Sequence, residues 1–378
     1  MKILIMSVTC GGGHNSTANA MKTYFEGRGV DCRVIDTLGY ISRPLAKALN
    51  DGYLFVTKDI KYGFEAGYRI AERRRANAET VSVARSTNKI LSSKMKKYID
   101  EYDPDVIIYT HVFAGVLLDV MRTKGMLEAK TLGILTDFVF HPFWEECLHL
   151  DFVITANEML LYQAKKKGFS SEQIRPTGIP INPRFAQERT KEEARAELGL
   201  DINKKTVLLM GGSMGYGNID EMVMRLDRMD TDFQLIVVCG SNKSMLRSLE
   251  KLKTRKRLLA LGYANNVDLL MDASDCIISK PGGLTTSEAL AKRLPMIIVN
   301  PIPGQEKRNT EFLLNSGAAL SPSRTFPLEE ALWSIIATND KVRVMQDNIE
   351  LLRRPNATKD ACEFAITLGN ERLEKRKI

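Results

Sequence analysis

Short runs of Val, Ile and Leu alternate with longer amphipathic stretches along the whole chain. The runs Lys2–Val8, Cys32–Ile35, Val106–Thr110, Lys130–Leu135 and Phe152–Thr155 predict five β-strands. After an interruption the pattern resumes at Thr206–Met210, Gln234–Val238, Leu258–Leu261, Cys276–Ser279 and Met296–Val299. Several of these runs lack polar alternation, as expected of parallel strands covered on both faces. Helical stretches such as Ser16–Gly27, Asn157–Lys167, Thr285–Ala291 and Asn309–Asn315 fall between them. The alternation predicts an α/β protein with an open parallel sheet in each half.

The interruption holds Pro176, Pro180 and Pro183, then a charged helix at Lys191–Leu198 closed by Gly199. The reading is a first domain over residues 1–184, a linker over 185–203, and a second domain over 204–355. Residues 356–378 form a charged C-terminal helix that could pack back on the first domain.

A length of 378 residues suits two domains, each large enough to bury a core. With 44% hydrophobic and 26% charged residues, the composition argues against disorder, collagen or a coiled coil. No apolar run reaches the roughly eighteen residues of a membrane span. Ile3–Val8 could be mistaken for a signal peptide, but it runs into Cys10-Gly-Gly-Gly-His14 with no small-residue cleavage site. The six cysteines lie far apart and form no CxxC, which disfavours zinc or disulfides and fits a reducing cytosol.

The net charge of +8 points to anionic partners. Between Arg43 and Lys97, thirteen basic residues face five acidic ones, an excess equal to that of the whole chain. Arg73, Arg74 and Arg75 lie there among aromatics that include Phe55 and Phe64, a composition suited to an anionic lipid surface. A solvated helix pair with buried aromatics has equal weight. Nucleic acid is disfavoured, because no nucleic-acid motif accompanies the arginines.

Four loops carry candidate chemistry. Gly11-Gly12-Gly13-His14 follows a strand and opens a helix, so backbone N–H groups and an imidazole stand at the mouth of the sheet. Asp36 ends the second strand and would suit a ribose, which keeps a dinucleotide-binding oxidoreductase in view. Asp137, His141 and Trp144 leave another strand end together, either as an active-site loop or as a capped turn over core aromatics. In the second half, Gly211-Gly212-Ser213 offers a phosphate a hydroxyl and N–H groups. Lys280-Pro-Gly282-Gly283-Leu-Thr285-Thr-Ser-Glu288 adds hydroxyls for a diphosphate and a carboxylate for ribose hydroxyls. Pro301–Asn309 is a further polar loop at a strand end, suited to a sugar.

Together these stretches resemble the glycosyltransferases that make glycosyldiacylglycerols: monogalactosyldiacylglycerol synthases and processive diacylglycerol glucosyltransferases. They are related to the peptidoglycan N-acetylglucosaminyltransferase acting on undecaprenyl-linked muramyl peptide. The resemblance is dense over 262–319 and extends to Gly11–His14 and the Asp137…His141…Trp144 loop. It implies a GT-B fold, two Rossmann-like domains facing a cleft. It assigns Ser213 to the phosphates, with Lys280, Gly12, Gly13, Gly282, Gly283 and Thr285 also on the donor. Glu288 would take the ribose, Gln305 and Glu306 the hexose, and Asn309 would support that loop.

His14 is the implied general base, an ordinary imidazole with pKa near 6.5. Asp137 and His141 join it as catalytic candidates, and Trp144 as an acceptor or membrane contact. Thr9-Cys10, where small residues or glycine are more usual, depart from the pattern. The implied reaction moves a hexose from UDP-glucose or UDP-galactose to the sn-3 hydroxyl of diacylglycerol with inversion. It takes place at the cytoplasmic face of a membrane, with anionic lipids as partners. No metal or other cofactor is obligatory, Mg2+ being at most a stimulant. A polyprenyl-linked acceptor, or a non-catalytic nucleotide- or lipid-binding module, is the alternative.

Overall fold

The computed structural model describes residues 1–9, 12–42, 44, 83–212, 215 and 218–376, with only the backbone described for 83–91. It divides into two compact units. One comprises Met1–Pro183, Pro303–Gln305 and Asn356–Ile378; the other comprises Arg184–Ile302 and Glu306–Pro355.

The first unit is built on β1 (Lys2–Ser7), β2 (Asp31–Asp36), β3 (Val106–Tyr109), β4 (Lys130–Ile134), β5 (Phe152–Ile154) and β6 (Ile174–Arg175). They form one parallel sheet in the order β2-β1-β3-β4-β5-β6. Ile3, Ile5, Val106, Ile108, Leu132 and Ile134 are fully buried, which explains why their runs lack polar alternation. One wall of this core comes from the far end of the sequence. Helix Ala357–Lys375 contributes Ala361, Cys362, Ala365 and Leu368 beside Met21 and Phe25 of helix Gly12–Gly27. Tyr24 donates to Glu363 at 2.7 Å across the same contact.

The second unit carries β7 (Thr206–Met210), β8 (Gln234–Val238), β9 (Leu258–Leu261), β10 (Cys276–Ser279), β11 (Met296–Ile298) and β12 (Ala319–Leu320). Its sheet is also parallel, in the order β12-β11-β10-β7-β8-β9. All ten strands expected from the hydrophobic runs are present. The two-residue edge strands β6 and β12 are additional.

Residues 185–203, expected to be a linker, belong to this second unit. The reason is a buried ion pair: Arg195 Nη2 lies 2.7 Å from Asp275 Oδ2, which also accepts the Thr206 N–H at 2.8 Å. Thr190 and Glu193 form a capping box that starts the helix Lys191–Glu197, and Gly199 follows it at φ 64°.

Among the described residues no helix is long and apolar enough to cross a membrane.

Candidate active site

In an open parallel sheet, ligands bind beyond the carboxyl ends of the strands, where the strand order reverses. In the first unit that point lies between β1 and β3. Helix Gly12–Gly27 starts earlier than its apolar spacing predicts, so Gly12, Gly13 and His14 occupy its first turn. This places the N–H groups of a helix start at the carboxyl end of the sheet. A Cβ on Gly13 would meet no described atom within 4 Å.

The half-buried His14 ring meets the residues leaving β3. Its Nδ1 lies 2.5 Å from the Thr110 carbonyl oxygen and 3.3 Å from Thr136 Oγ1. A carbonyl can only accept, so Nδ1 carries the proton and Nε2 is the basic nitrogen. Burial lowers the His14 pKa to about 4, against the smaller opposing effect of the Thr110 bond. The value in the folded chain thus lies below the ordinary 6.5 expected from the sequence, because burial disfavours the charged imidazolium.

His111 was not recognised from the sequence. It follows Thr110 at the end of β3, and its ring meets that of His14 edge-on, with centroids 4.7 Å apart. Its Nδ1 accepts the Phe113 N–H at 3.1 Å and caps helix Val112–Thr123. Burial, then the neighbouring His14 and His141, hold its pKa well below the usual value. The legible signal was a titratable side chain directly after a strand beside the reversal point.

The loop after β4 carries Asp137, half-buried, and His141, whose Nδ1 accepts the Phe143 N–H at 3.3 Å. His141 thereby heads the turn Pro142–Glu146. Trp144 is corrected: it is 3% exposed, with its ring 5.8 Å from Tyr109 and 6.0 Å from Phe140. It is a core residue that fastens this loop and has no surface to offer a lipid. Asp36 is also committed locally. It accepts from Thr9 Oγ1 at 2.7 Å and caps the helix Thr37–Ile41. Phe55, Phe64, Arg73, Arg74 and Arg75 lie outside the described residues, as does Ser213.

In the second unit the reversal point lies between β7 and β10. Gly212 has φ 73° and Gly215 φ 61° in the turn after β7. A side chain at Gly215 would collide with the Cys239 carbonyl, so only glycine fits there. After β10, Lys280 and Pro281 lead to Gly282, the cap of helix Gly283–Ala291. The fully buried Asn309 donates to the Pro281 carbonyl at 3.0 Å and pins this turn from behind.

Glu306 bridges the same region. Its Oε1 lies 3.4 Å from Lys280 Nζ, and its Oε2 accepts the Ile302 N–H at 2.7 Å. Thr285 and Glu288 are half-buried on helix Gly283–Ala291. Burial, then the Asp268 carboxylate, push the Glu288 pKa up to about 8. Gln305 opens the helix Gln305–Asn315, on the same face as Asn309. Lys280, Gly282, Gly283, Thr285, Glu288, Glu306 and Asn309 are thus grouped at one strand end. Gly12 and Gly13 stand with His14 in the other unit.

Comparison with known proteins gives a matching division. Residues 14–181 match the family model described as monogalactosyldiacylglycerol (MGDG) synthase. Residues 206–332 match the glycosyltransferase family 28 C-terminal domain. The processive diacylglycerol beta-glucosyltransferase of Bacillus pumilus is 29% identical over 368 residues, covering 96% of this chain and 94% of its own. The chloroplastic monogalactosyldiacylglycerol synthase of Spinacia oleracea is also 29% identical, covering all of this chain and 73% of its own. The crystal structure of MurG from Acinetobacter baumannii superposes with a TM-score of 0.66 at 15% identity, covering 97% of this chain and 99% of that one. The UDP-GlcNAc 2-epimerase of Neisseria meningitidis, bound to UDP-GlcNAc, superposes at 0.60 with 13% identity, covering 97% of this chain and all of that one. An epimerase on the same GT-B architecture shows that fold likeness alone does not select the reaction.

Proposed function

We propose that this chain, which matches a monogalactosyldiacylglycerol-synthase model over residues 14–181 and a glycosyltransferase family 28 C-terminal model over residues 206–332, works as a glycosyltransferase. It transfers a hexose to diacylglycerol, the acceptor of the diacylglycerol beta-glucosyltransferases it is similar to, and takes that hexose from a UDP-sugar. The sugar is glucose or galactose, and the acceptor oxygen is the sn-3 hydroxyl.

The observation that carries the reading is the 2.5 Å approach of His14 Nδ1 to the Thr110 carbonyl oxygen. With Nδ1–H committed to Thr110, the ring offers a neutral Nε2 to take the acceptor hydroxyl proton. The oxygen then attacks C1 of the sugar from the face opposite UDP, so an α-linked donor gives a β-glycoside. Glu288 accepts from the ribose hydroxyls, and Gln305 and Glu306 address the hexose. Lys280, Ser213 and the N–H groups at Gly282 and Gly283 take up the charge of the departing diphosphate.

In this reading no metal is obligatory, because Lys280 and the N–H groups at Gly282 and Gly283 take that role. Asp137 and His141 order the loop on which the acceptor lies. The basic, aromatic stretch 43–97 draws the protein to anionic lipid on the cytoplasmic face of a membrane.

The deciding assay supplies purified protein with diacylglycerol vesicles and labelled UDP-glucose or UDP-galactose in separate reactions. A β-glycosyldiacylglycerol with one of them is the expected product. No lipid-linked label with either sugar would defeat the reading.

A further inference from the structure

Around the turn that presents His14, the polar side chains form one connected set. Ser7 Oγ donates to Asn15 Oδ1 at 2.6 Å, and Asn15 Nδ2 donates to Thr9 Oγ1 at 3.3 Å. Thr9 Oγ1 in turn donates to Asp36 Oδ2 at 2.7 Å. On the other side, Thr110 Oγ1 donates to Ser7 Oγ at 3.3 Å. Thr110 is the residue whose carbonyl receives His14 Nδ1.

Two consecutive residues of one helical turn are therefore tied to the same point, Thr110, directly after β3. His14 reaches the Thr110 backbone directly, and Asn15 reaches its hydroxyl through Ser7. Ser7 and Thr110 are both fully buried, so the far end of this tie is rigid.

We propose that Asn15 is a positioning residue for His14, fixing the helix start so that the imidazole keeps Nδ1–H on Thr110 and presents Nε2. The proposal rests on the reading of His14 as the base. An amide suits the place because it carries a donor and an acceptor on one planar group. Here each satisfies a different hydroxyl, one on β1 and one in the turn that follows it. A carboxylate would keep the Ser7 bond and lose the Thr9 bond; an alkyl chain would lose both. Thr9, the polar departure in the glycine turn, is the matching half of the device, since its hydroxyl joins the amide to Asp36.

The test compares Asn15→Ala and Asn15→Asp with wild type in the glycosyl-transfer assay. Thr9→Val is included because Thr9 is exposed and its replacement spares the core. The expected result is a fall in kcat on the order of ten- to a hundredfold with the UDP-sugar KM unchanged, because misplacement of the base is felt only in the reacting complex. Imidazole 15N spectra of His14 should show the Nδ1-protonated tautomer in wild type and a mixture in the variants, which a merely structural residue would not produce. His14→Ala runs alongside. Wild-type kcat in Asn15→Ala and Thr9→Val beside an inactive His14→Ala overturns the positioning role alone, as does a lost kcat with an unchanged tautomer. An active His14→Ala protein would remove the base reading on which the proposal stands.

Discussion

The Nδ1–H of His14 is spent on the Thr110 carbonyl at 2.5 Å, so the ring is oriented by the end of a neighbouring strand and not by solvent. Such a bond fixes which nitrogen is basic, while burial fixes when it is basic.

The first prediction concerns pH. With a His14 pKa near 4, the ring is already neutral at pH 6, and the free enzyme needs no deprotonation to act as a base. The acid limb of kcat/KM, which reports the free enzyme, should therefore fall near pH 4 and not near 6.5. The same shift has a stability sign. The unfolded chain takes up this proton first, so stability is lost as pH falls from about 6.5 towards 4. An acid limb centred on 6.5 would show that His14 is solvated in the working enzyme.

A second prediction pairs affinity with stability at Glu288. Its carboxyl is raised to about 8, so between the ordinary 4.5 and that value the folded chain holds a proton that the unfolded chain releases. Stability from this group is full below 4.5 and declines up to about 8. Glu288→Gln should melt higher than wild type at pH 8, with the gap closing towards pH 4.5. Above pH 8, where the wild-type group is ionised, UDP binding should weaken about ten- to a hundredfold, the loss of charged hydrogen bonds worth about 1.5–3 kcal/mol. Wild-type affinity for UDP should itself rise with pH up to about 8, since ribose hydroxyls are best held by the carboxylate. Calorimetry across that range checks both; a flat profile with unchanged Glu288→Gln affinity moves the ribose site elsewhere.

Trp144→Ala should act through folding. Emptying the space between Tyr109 and Phe140 costs about 3–5 kcal/mol, read by denaturant unfolding, while vesicle binding by the folded fraction stays at the wild-type level. Weakened binding with normal stability would return Trp144 to the membrane.

Arg73, Arg74 and Arg75 test the electrostatic reading of 43–97. Each cation near an anionic surface contributes about 1 kcal/mol, within a screening length of roughly 10 Å at 0.1 M salt. Replacing all three by Ala should lower vesicle binding and lipid glycosylation together and leave UDP binding unchanged. Replacing Phe55 and Phe64 should reduce the part that survives high salt. Equal wild-type binding to neutral and anionic vesicles would count against the stretch as an anchor.

The strands were legible because burial on both faces writes them as unbroken apolar runs, as at Ile3–Met6 and Leu235–Val238. The edge pairs Ile174–Arg175 and Ala319–Leu320 were not, since two residues carry no periodicity. The start of helix Gly12–Gly27 was hidden by glycines, which read as turn although they form its first helical turn. Trp144 misled for a different reason. Its surroundings include the Tyr109 ring, which lies so close to Gly115 and Gly133 that a Cβ on either would strike it. Nothing within a few residues of Trp144 records that neighbourhood. His14 and Glu288 stood out because each follows a glycine turn at a strand end, and Lys280 because it leads into one, a local pattern that coincides with the reversal points of the sheets. His111 shares the location but has no glycines to announce it.

The helix Ala357–Lys375 gives the order of synthesis a physical meaning. Ala361, Cys362, Ala365 and Leu368 close a core whose other members, from Ile3 to Ile154, leave the ribosome long before them. Between Pro183 and Asn356 the ribosome must add the whole second unit, which at about 5–20 residues per second takes roughly 10–35 s. Throughout that interval the face formed by Met21, Phe25 and Ile5 lacks the helix that covers it in the finished unit. The second unit faces no such delay, so it can finish folding first although it is made later.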